Sequence, residues 1–158
     1  MALKKDTEKI CYFRDDTVKL KVDEEKVILE IKVCVLDKNK PVKLDWSVDE
    51  VLESRDSISP NNAQPNATVE FKLYRNDEQI GSTITSRNEM IISFEAPPVG
   101  GVDLAFTQQT QPNFTFCDET PDPGVNCYQV KAKLLDPDPP VMISSTATLY
   151  DRTLVAIY

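Results

Sequence analysis

Val27-Ile28-Leu29-Glu30-Ile31-Lys32-Val33-Cys34-Val35-Leu36 is the stretch that decides the fold. Val27, Leu29, Ile31, Val33 and Val35 fall on one side, and Ile28, Glu30, Lys32, Cys34 and Leu36 on the other. A repeat of two is the repeat of a β-strand, whose successive side chains point to opposite faces. Working outward, the same period recurs on both sides. Upstream, Val18, Leu20 and Val22 alternate with Lys19, Lys21 and Asp23. Downstream, beyond a turn at residues 37–41, Val42, Leu44, Trp46 and Val48 share a face opposite Lys43, Asp45, Ser47 and Asp49.

The alternation returns at Val69, Phe71 and Leu73, ahead of a hairpin turn at Asn76-Asp77-Glu78-Gln79, and again at Met90, Ile92 and Phe94. Phe114 and Phe116, then Tyr128, Val130 and Ala132, and a terminal run from Leu154 to Tyr158 complete the series. Residues 54–66 and 106–112 are polar and read as loops. No strand–helix alternation appears, which favours antiparallel layers over a parallel sheet. The expected fold is all-β, an antiparallel β-sandwich or jelly roll over residues 16–158. Residues 1–15 read as an extended N-terminal arm, with Ile10, Cys11, Tyr12 and Phe13 as its apolar hook.

The chain has 158 residues and a formal net charge of −8, enough length for one core. The acidity disfavours nucleic acid, where phosphates must be neutralised by clustered Lys and Arg, and anionic membrane surfaces. Its plain reading is solubility. Residues 1–8 contain no apolar run of the kind a secretory leader needs. Four cysteines nonetheless suit an oxidising environment, so the expected location is outside the cytoplasm, reached without a recognisable signal peptide.

There is no histidine, the commonest general base, and no phosphate loop, nucleophile elbow or zinc-helix motif. Asp118, Glu119 and Asp122, or Asp136 and Asp138, offer carboxylate pairs. Acids beside prolines are ordinarily solvated turns, and their spacing lacks the calcium-loop pattern. No cofactor, metal or catalytic residue is expected. Asn66 and Asn113 open glycosylation sequons that chance explains. Trp46, Tyr74 and Tyr128 raise a sugar platform, but Trp46 shares its face with Val42, Leu44 and Val48 and reads as core.

The four cysteines, Cys11, Cys34, Cys117 and Cys127, carry the remaining chemistry. Cys117 and Cys127 flank a loop of nine residues; bridging it would stabilise by about 3 kcal/mol on the chain-entropy estimate. Two free thiols are the alternative; a metal pair lacks histidines and short spacings. Cys34 points away from the apolar side of its strand. There it is either a small buried hydrophobe under a second sheet or a partner for Cys11, in its own chain or a neighbour's. Four cysteines allow three full pairings, which sequence does not distinguish.

Four fragments stand in order along the chain: residues 27–36 followed by 42–48, the run Val69-Glu70-Phe71-Lys72-Leu73-Tyr74-Arg75-Asn76-Asp77-Glu78-Gln79-Ile80-Gly81-Ser82-Thr83, the run Cys127-Tyr128-Gln129-Val130-Lys131-Ala132, and residues 143–157. Together they resemble β-rich spore-surface proteins of Bacillus and Clostridium relatives, which implies a location at a cell or spore surface. The layout is similar to jelly-roll subunits of endospore appendages, in which a cysteine-bearing N-terminal connector links subunits along a fibre. Here the arm has one cysteine, not an adjacent pair. The resemblance implies a structural subunit that self-assembles with identical copies into a fibre or coat. Other readings of the residues are a monomeric sandwich binding a glycan or protein through residues 54–66 and 106–112, or a phage or virion decoration protein.

Overall fold

The structure, a computed structural model, describes residues 8–57, 62–63, 67–86, 92–93, 103–135 and 142–158. These form β1 (Lys9–Arg14), β2 (Val18–Leu20), β3 (Glu25–Val35), β4 (Val42–Ser57), β5 (Asn62–Ala63) and β6 (Thr68–Arg75). They continue as β7 (Glu78–Ser86), β8 (Ile92–Ser93), β9 (Asp103–Thr110), β10 (Asn113–Asp118), β11 (Gly124–Leu134) and β12 (Met142–Ile157). The first sheet runs β1-β12-β4-β10, with β2 also on β12 and β9 also on β4; the second runs β3-β11-β6-β7. β5 and β8 pair separately. Among the described residues every pairing between these strands is antiparallel, with one isolated parallel bridge, Val22 to Leu134, outside them, so the all-β antiparallel sandwich expected from the period of two is what the chain builds.

β4 and β12 form the spine of the first sheet. One outer side of that spine carries β1 and β2 end to end, and the other carries β10 and β9. Between the sheets lie Leu29, Ile31, Val33 and Val35 of β3, Val42, Leu44, Trp46 and Val48 of β4, Val69, Phe71 and Leu73 of β6, and Tyr128, Val130 and Ala132 of β11, all buried. Removing such side chains from water is the main favourable term of folding, about 1.5–3 kcal/mol each. Trp46 is only 6% exposed, with its ring 5.4 Å from that of Phe114, as its face requires.

Bulges break the simple alternation. Val130 pairs with Leu29 and Lys131 with Val27, so Ile28 is the extra residue of β3. A bulge moves everything beyond it to the other face. Ile28 is therefore buried and Val27 is exposed, the reverse of the strict alternation. On β12, Tyr150 pairs with Asp49 and Thr153 with Ser47, so two residues, Asp151 and Arg152, oppose one. Asp151 takes the left-handed φ of 42°, and Arg152 turns inward, buried. The β6–β7 hairpin turns through Asn76 and Asp77 at φ 48° and 68°. Two positive φ values in a two-residue loop are the type I′ signature, whose twist matches the strands it joins.

Three expectations are corrected. Residues 9–14 are not an extended arm: they are β1, paired over its whole length with the chain's own β12, Lys9 opposite Ile157 through Arg14 opposite Arg152. Ile10 and Tyr12 turn towards the core while Cys11 and Phe13 face out, so the apparent hook is an alternating edge strand. Residues 54–57 belong to β4 and residues 106–110 to β9, which pair with each other; the polar faces of these strands concealed them. Residues 1–7, 58–61, 64–66, 87–91, 94–102 and 136–141 lie outside the described residues, and with them the first part of the expected arm, Asn66, Met90, Phe94, Asp136 and Asp138.

Candidate functional site

The four thiols sit on the outer faces of the sandwich, and strand parity puts them there. On β10, Phe114, Phe116 and Asp118 turn inward and Cys117 outward; on β11, Asn126, Tyr128 and Val130 turn inward and Cys127 outward. β10 belongs to the first sheet and β11 to the second. Cys117 and Cys127 thus lie on opposite outer surfaces with the core between them. Packed sheets stand about 10 Å apart, whereas a disulfide needs Cα atoms within about 7 Å. The bridge expected between them does not form. All four cysteines are free; Cys11, Cys34 and Cys117 are exposed and Cys127 is half-buried.

Cys34 faces out with Lys32, on the side its parity indicates, and is not a buried hydrophobe under a second sheet. Its cross-strand neighbour is Val125, and Cys127 faces Lys32. Burial pushes the Cys127 thiol above its ordinary range, and nearby Glu30 pushes it further.

Cys11 and Cys117 occupy the two opposite edge strands of the first sheet. The cross-strand row through Cys11 runs Cys11, Val155, Asp45, Thr115; the next row runs Lys9, Ile157, Lys43, Cys117. Both thiols point to the same outer face, one row apart, on strands separated by three strand spacings, about 14 Å. Thr115 donates to Asp45 at 2.7 Å, and Lys43 pairs with Asp45 at 3.1 Å. Burial alone would raise the Asp45 carboxyl, but these two partners outweigh it and hold the group below its ordinary value.

A groove of about 600 Å³ follows the seam where β1 faces β3, lined by Ile10, Tyr12, Val18, Leu29, Lys32 and Arg152 among others. Arg152 holds this seam together. Its Nε donates to the Ile28 carbonyl at 3.1 Å, its Nη1 to the carbonyls of Asp16 and Leu149, and its Nη2 to the Asp16 carboxylate at 2.7 Å. At the far end of the sandwich, Arg75 grips Asp118, and Tyr128 donates to the same carboxylate.

Asp118 is thus not a solvated turn acid, and its oxygens are committed to Arg75 and Tyr128. Glu119 stays exposed, and Asp122 lies beside Arg75 at 3.8 Å. Among the described residues no three His, Cys, Asp or Glu side chains come together as a metal site. Tyr128 and Trp46 face the core, whereas Tyr74 lies outside under the Lys131 ammonium, 4.0 Å from its ring centre. The aromatic trio does not form a platform.

Sequence reasoning missed Arg152 and Arg75. One signal for Arg152 was present: it has the same parity as the inward Leu154 and Ala156.

No family model and no curated protein matches the sequence. Among solved structures, the chain is similar to one titled "Structure of infectious bursal disease virus Gx strain" at a TM-score of 0.43 and 7% identity, over 98% of this chain and 32% of that one. It is also similar to dimeric latent PorU from Porphyromonas gingivalis, at 0.29 and 10%, over 96% and 13%. A third is the infectious bursal disease virus VP2 subviral particle, at 0.27 and 7%, over 97% and 40%. The chain spans less than half the length of each.

Proposed function

We propose that this chain is a structural subunit that assembles with identical copies into a fibre or coat at a cell or spore surface. The observation that carries this reading is the placement of Cys11 and Cys117 on opposite edges and one face of the first sheet. From β1 to β10 there are three antiparallel steps, so the two edge strands run in opposite directions. A copy translated along the sheet brings its β10 antiparallel to β1, and a slip of two residues sets its Cys117 opposite Cys11. Such a head-to-tail contact does not close and propagates into a fibre. Each covalent link forms one S–S bond from two thiols, with two protons and two electrons passing to an external oxidant such as dioxygen. The resemblance to spore-surface proteins supports the same reading.

Non-reducing and reducing gels, read beside negative-stain microscopy, test it. The expected result is a ladder and filaments that collapse with reductant, with both lost in Cys11→Ser and in Cys117→Ser. Single particles and a single band under oxidising conditions would overturn it and favour a monomeric binding module.

A further inference from the structure

We infer that the β7 edge of the second sheet is a self-pairing surface, and that its partner is β7 of a second copy related by a two-fold axis. β7 pairs with β6 on one side and, among the described residues, has no strand on the other. Free edges are templates for strand addition unless charges, bulges or covering elements blunt them.

The opposite edge of the same sheet is blunted in each of these ways. β3 carries Glu25, Lys26, Glu30 and Lys32, bulges at Ile28, gives the Ile28 carbonyl to Arg152, and has β1 lying alongside. Beyond its first three residues, Glu78 to Ile80, β7 carries neither a charge nor a bulge. Its bulge falls at Ile80, where Leu73 pairs with Gly81 and Tyr74 with Gln79. From Gly81 to Ser86 the strand is regular, with neither a charge nor a proline. At its middle Ile84 faces outward, 58% exposed.

The edge asks for backbone groups and an uncharged alternation, which a second β7 returns. Placing the axis at Ile84 sets Ile84 opposite Ile84 of the second copy, Thr83 opposite Thr85, and Ser82 opposite Ser86. Residues in each pair share a face, as antiparallel pairing demands. The exposed isoleucine then meets an apolar β-branched partner. Two bodies of charge −8 repel on most approaches, and an uncharged edge meets the least of that repulsion. The contact closes at two copies, so it goes beyond the open-ended assembly proposed above and uses neither the first sheet's edges nor its thiols.

The test uses the full chain with all four cysteines replaced by serine, which removes thiol-linked assembly, so either proposal can fail alone. Sedimentation velocity over a concentration series should show a reversible dimer. Ile84→Lys and Ile84→Glu, each setting like charges at the axis, should each weaken it by about tenfold or more, and mixing the two should restore it. Circular dichroism checks that the exposed substitutions leave the fold intact. In the same background, Ile84→Cys should form a disulfide-linked dimer on oxidation and Ser82→Cys should not. A parent that stays monomeric throughout, or a dimer indifferent to Ile84→Lys, overturns the inference; cross-linking through Ser82→Cys alone overturns the register.

Discussion

Tyr128 donates its hydroxyl to Asp118 at 2.7 Å across the core, from β11 of the second sheet to β10 of the first. Arg75 on β6 approaches the same carboxylate at 3.0 and 3.1 Å, so one acid ties the two sheets at this end. Removing one partner of a buried ion pair leaves the other uncompensated. Asp118→Ala should therefore cost about 3 kcal/mol, whereas Tyr128→Phe, which loses one hydrogen bond and leaves Asp118 with Arg75, should cost about 1 kcal/mol. Urea unfolding of the two variants checks the order. Equal losses would mean that the Arg75 contact contributes nothing.

Tyr128 also sets an alkaline limit. Burial, then its hydrogen bond to Asp118 and that carboxylate's charge, push its phenol far above the ordinary value. The unfolded chain releases this proton near pH 10, while the folded chain keeps it. The stabilisation is therefore fully present below about pH 10 and is lost as pH rises above it. Stability followed from pH 8 to 11 should fall more steeply in the parent chain than in Tyr128→Phe. Parallel curves would show that this phenol does not carry the slope.

How far the residues themselves announce the fold depends on the contrast along each strand. Residues 29–35 and 42–48 declare their buried faces because every other residue is large and apolar. Residues 54–57 and 106–110 do not: where Ser54 is buried and Thr107 and Gln109 are exposed, both faces look polar. The N-terminal stretch misleads in the other direction, since Ile10, Cys11, Tyr12 and Phe13 form an apolar block whose alternation appears only once β12 is beside it. The cysteine geometry follows from parity, and the outward aim of Cys34 was legible. Which sheet each of Cys117 and Cys127 joins was not, because strand order is a non-local property. That order is what separates their thiols.

The thiols give a direct readout of that arrangement. In reductant-free buffer after full reduction, the native monomer should titrate four thiols with a disulfide reagent. Cys11, Cys34 and Cys117 are exposed and should react quickly. Cys127 should lag behind them, because it is half-buried and its raised pKa lowers the thiolate fraction that attacks. Mass spectrometry of the partly labelled chain identifies the slow site. Fast loss of the Cys117 and Cys127 thiols as an internal pair would contradict the opposite-sheet placement.

The β6–β7 turn makes a sharper local claim. Asn76 adopts φ 48° while its side chain accepts the Cys127 backbone N–H at 2.8 Å and donates to Asn126 at 3.1 Å. Asn76→Ala loses both contacts and strains the left-handed backbone, for about 2 kcal/mol. Asp77 has the same backbone hand at φ 68°, so Asp77→Gly relieves a steric cost and should be neutral or stabilising by about 0.5 kcal/mol. Thermal unfolding of the pair distinguishes turn geometry from side-chain capping: were geometry alone at stake, Asn76→Gly would match the parent, whereas loss of the cap keeps it below.

Arg152 links the fold to the edge on which assembly is proposed. It is 2% exposed, and its four hydrogen bonds go to groups that hold the seam: two on Asp16 between β1 and β2, one at the β3 bulge and one on its own strand. Arg152→Met fills similar space but leaves those carbonyls without their donor, at a cost of about 3 kcal/mol. Asp16→Asn keeps the backbone acceptor and loses only the charge of a half-exposed partner, for about 1 kcal/mol or less. The loss in Arg152→Met should be local before it is global. Among the described residues β1 pairs with no strand but β12, and its inward side chains Ile10 and Tyr12 are only half-buried, so it should detach first. Hydrogen exchange at residues 9–14 should then accelerate well beyond exchange in β11 at the centre of the second sheet. Uniform acceleration across both strands would mean that Arg152 stabilises the whole sandwich and does not specifically keep β1 on its own sheet.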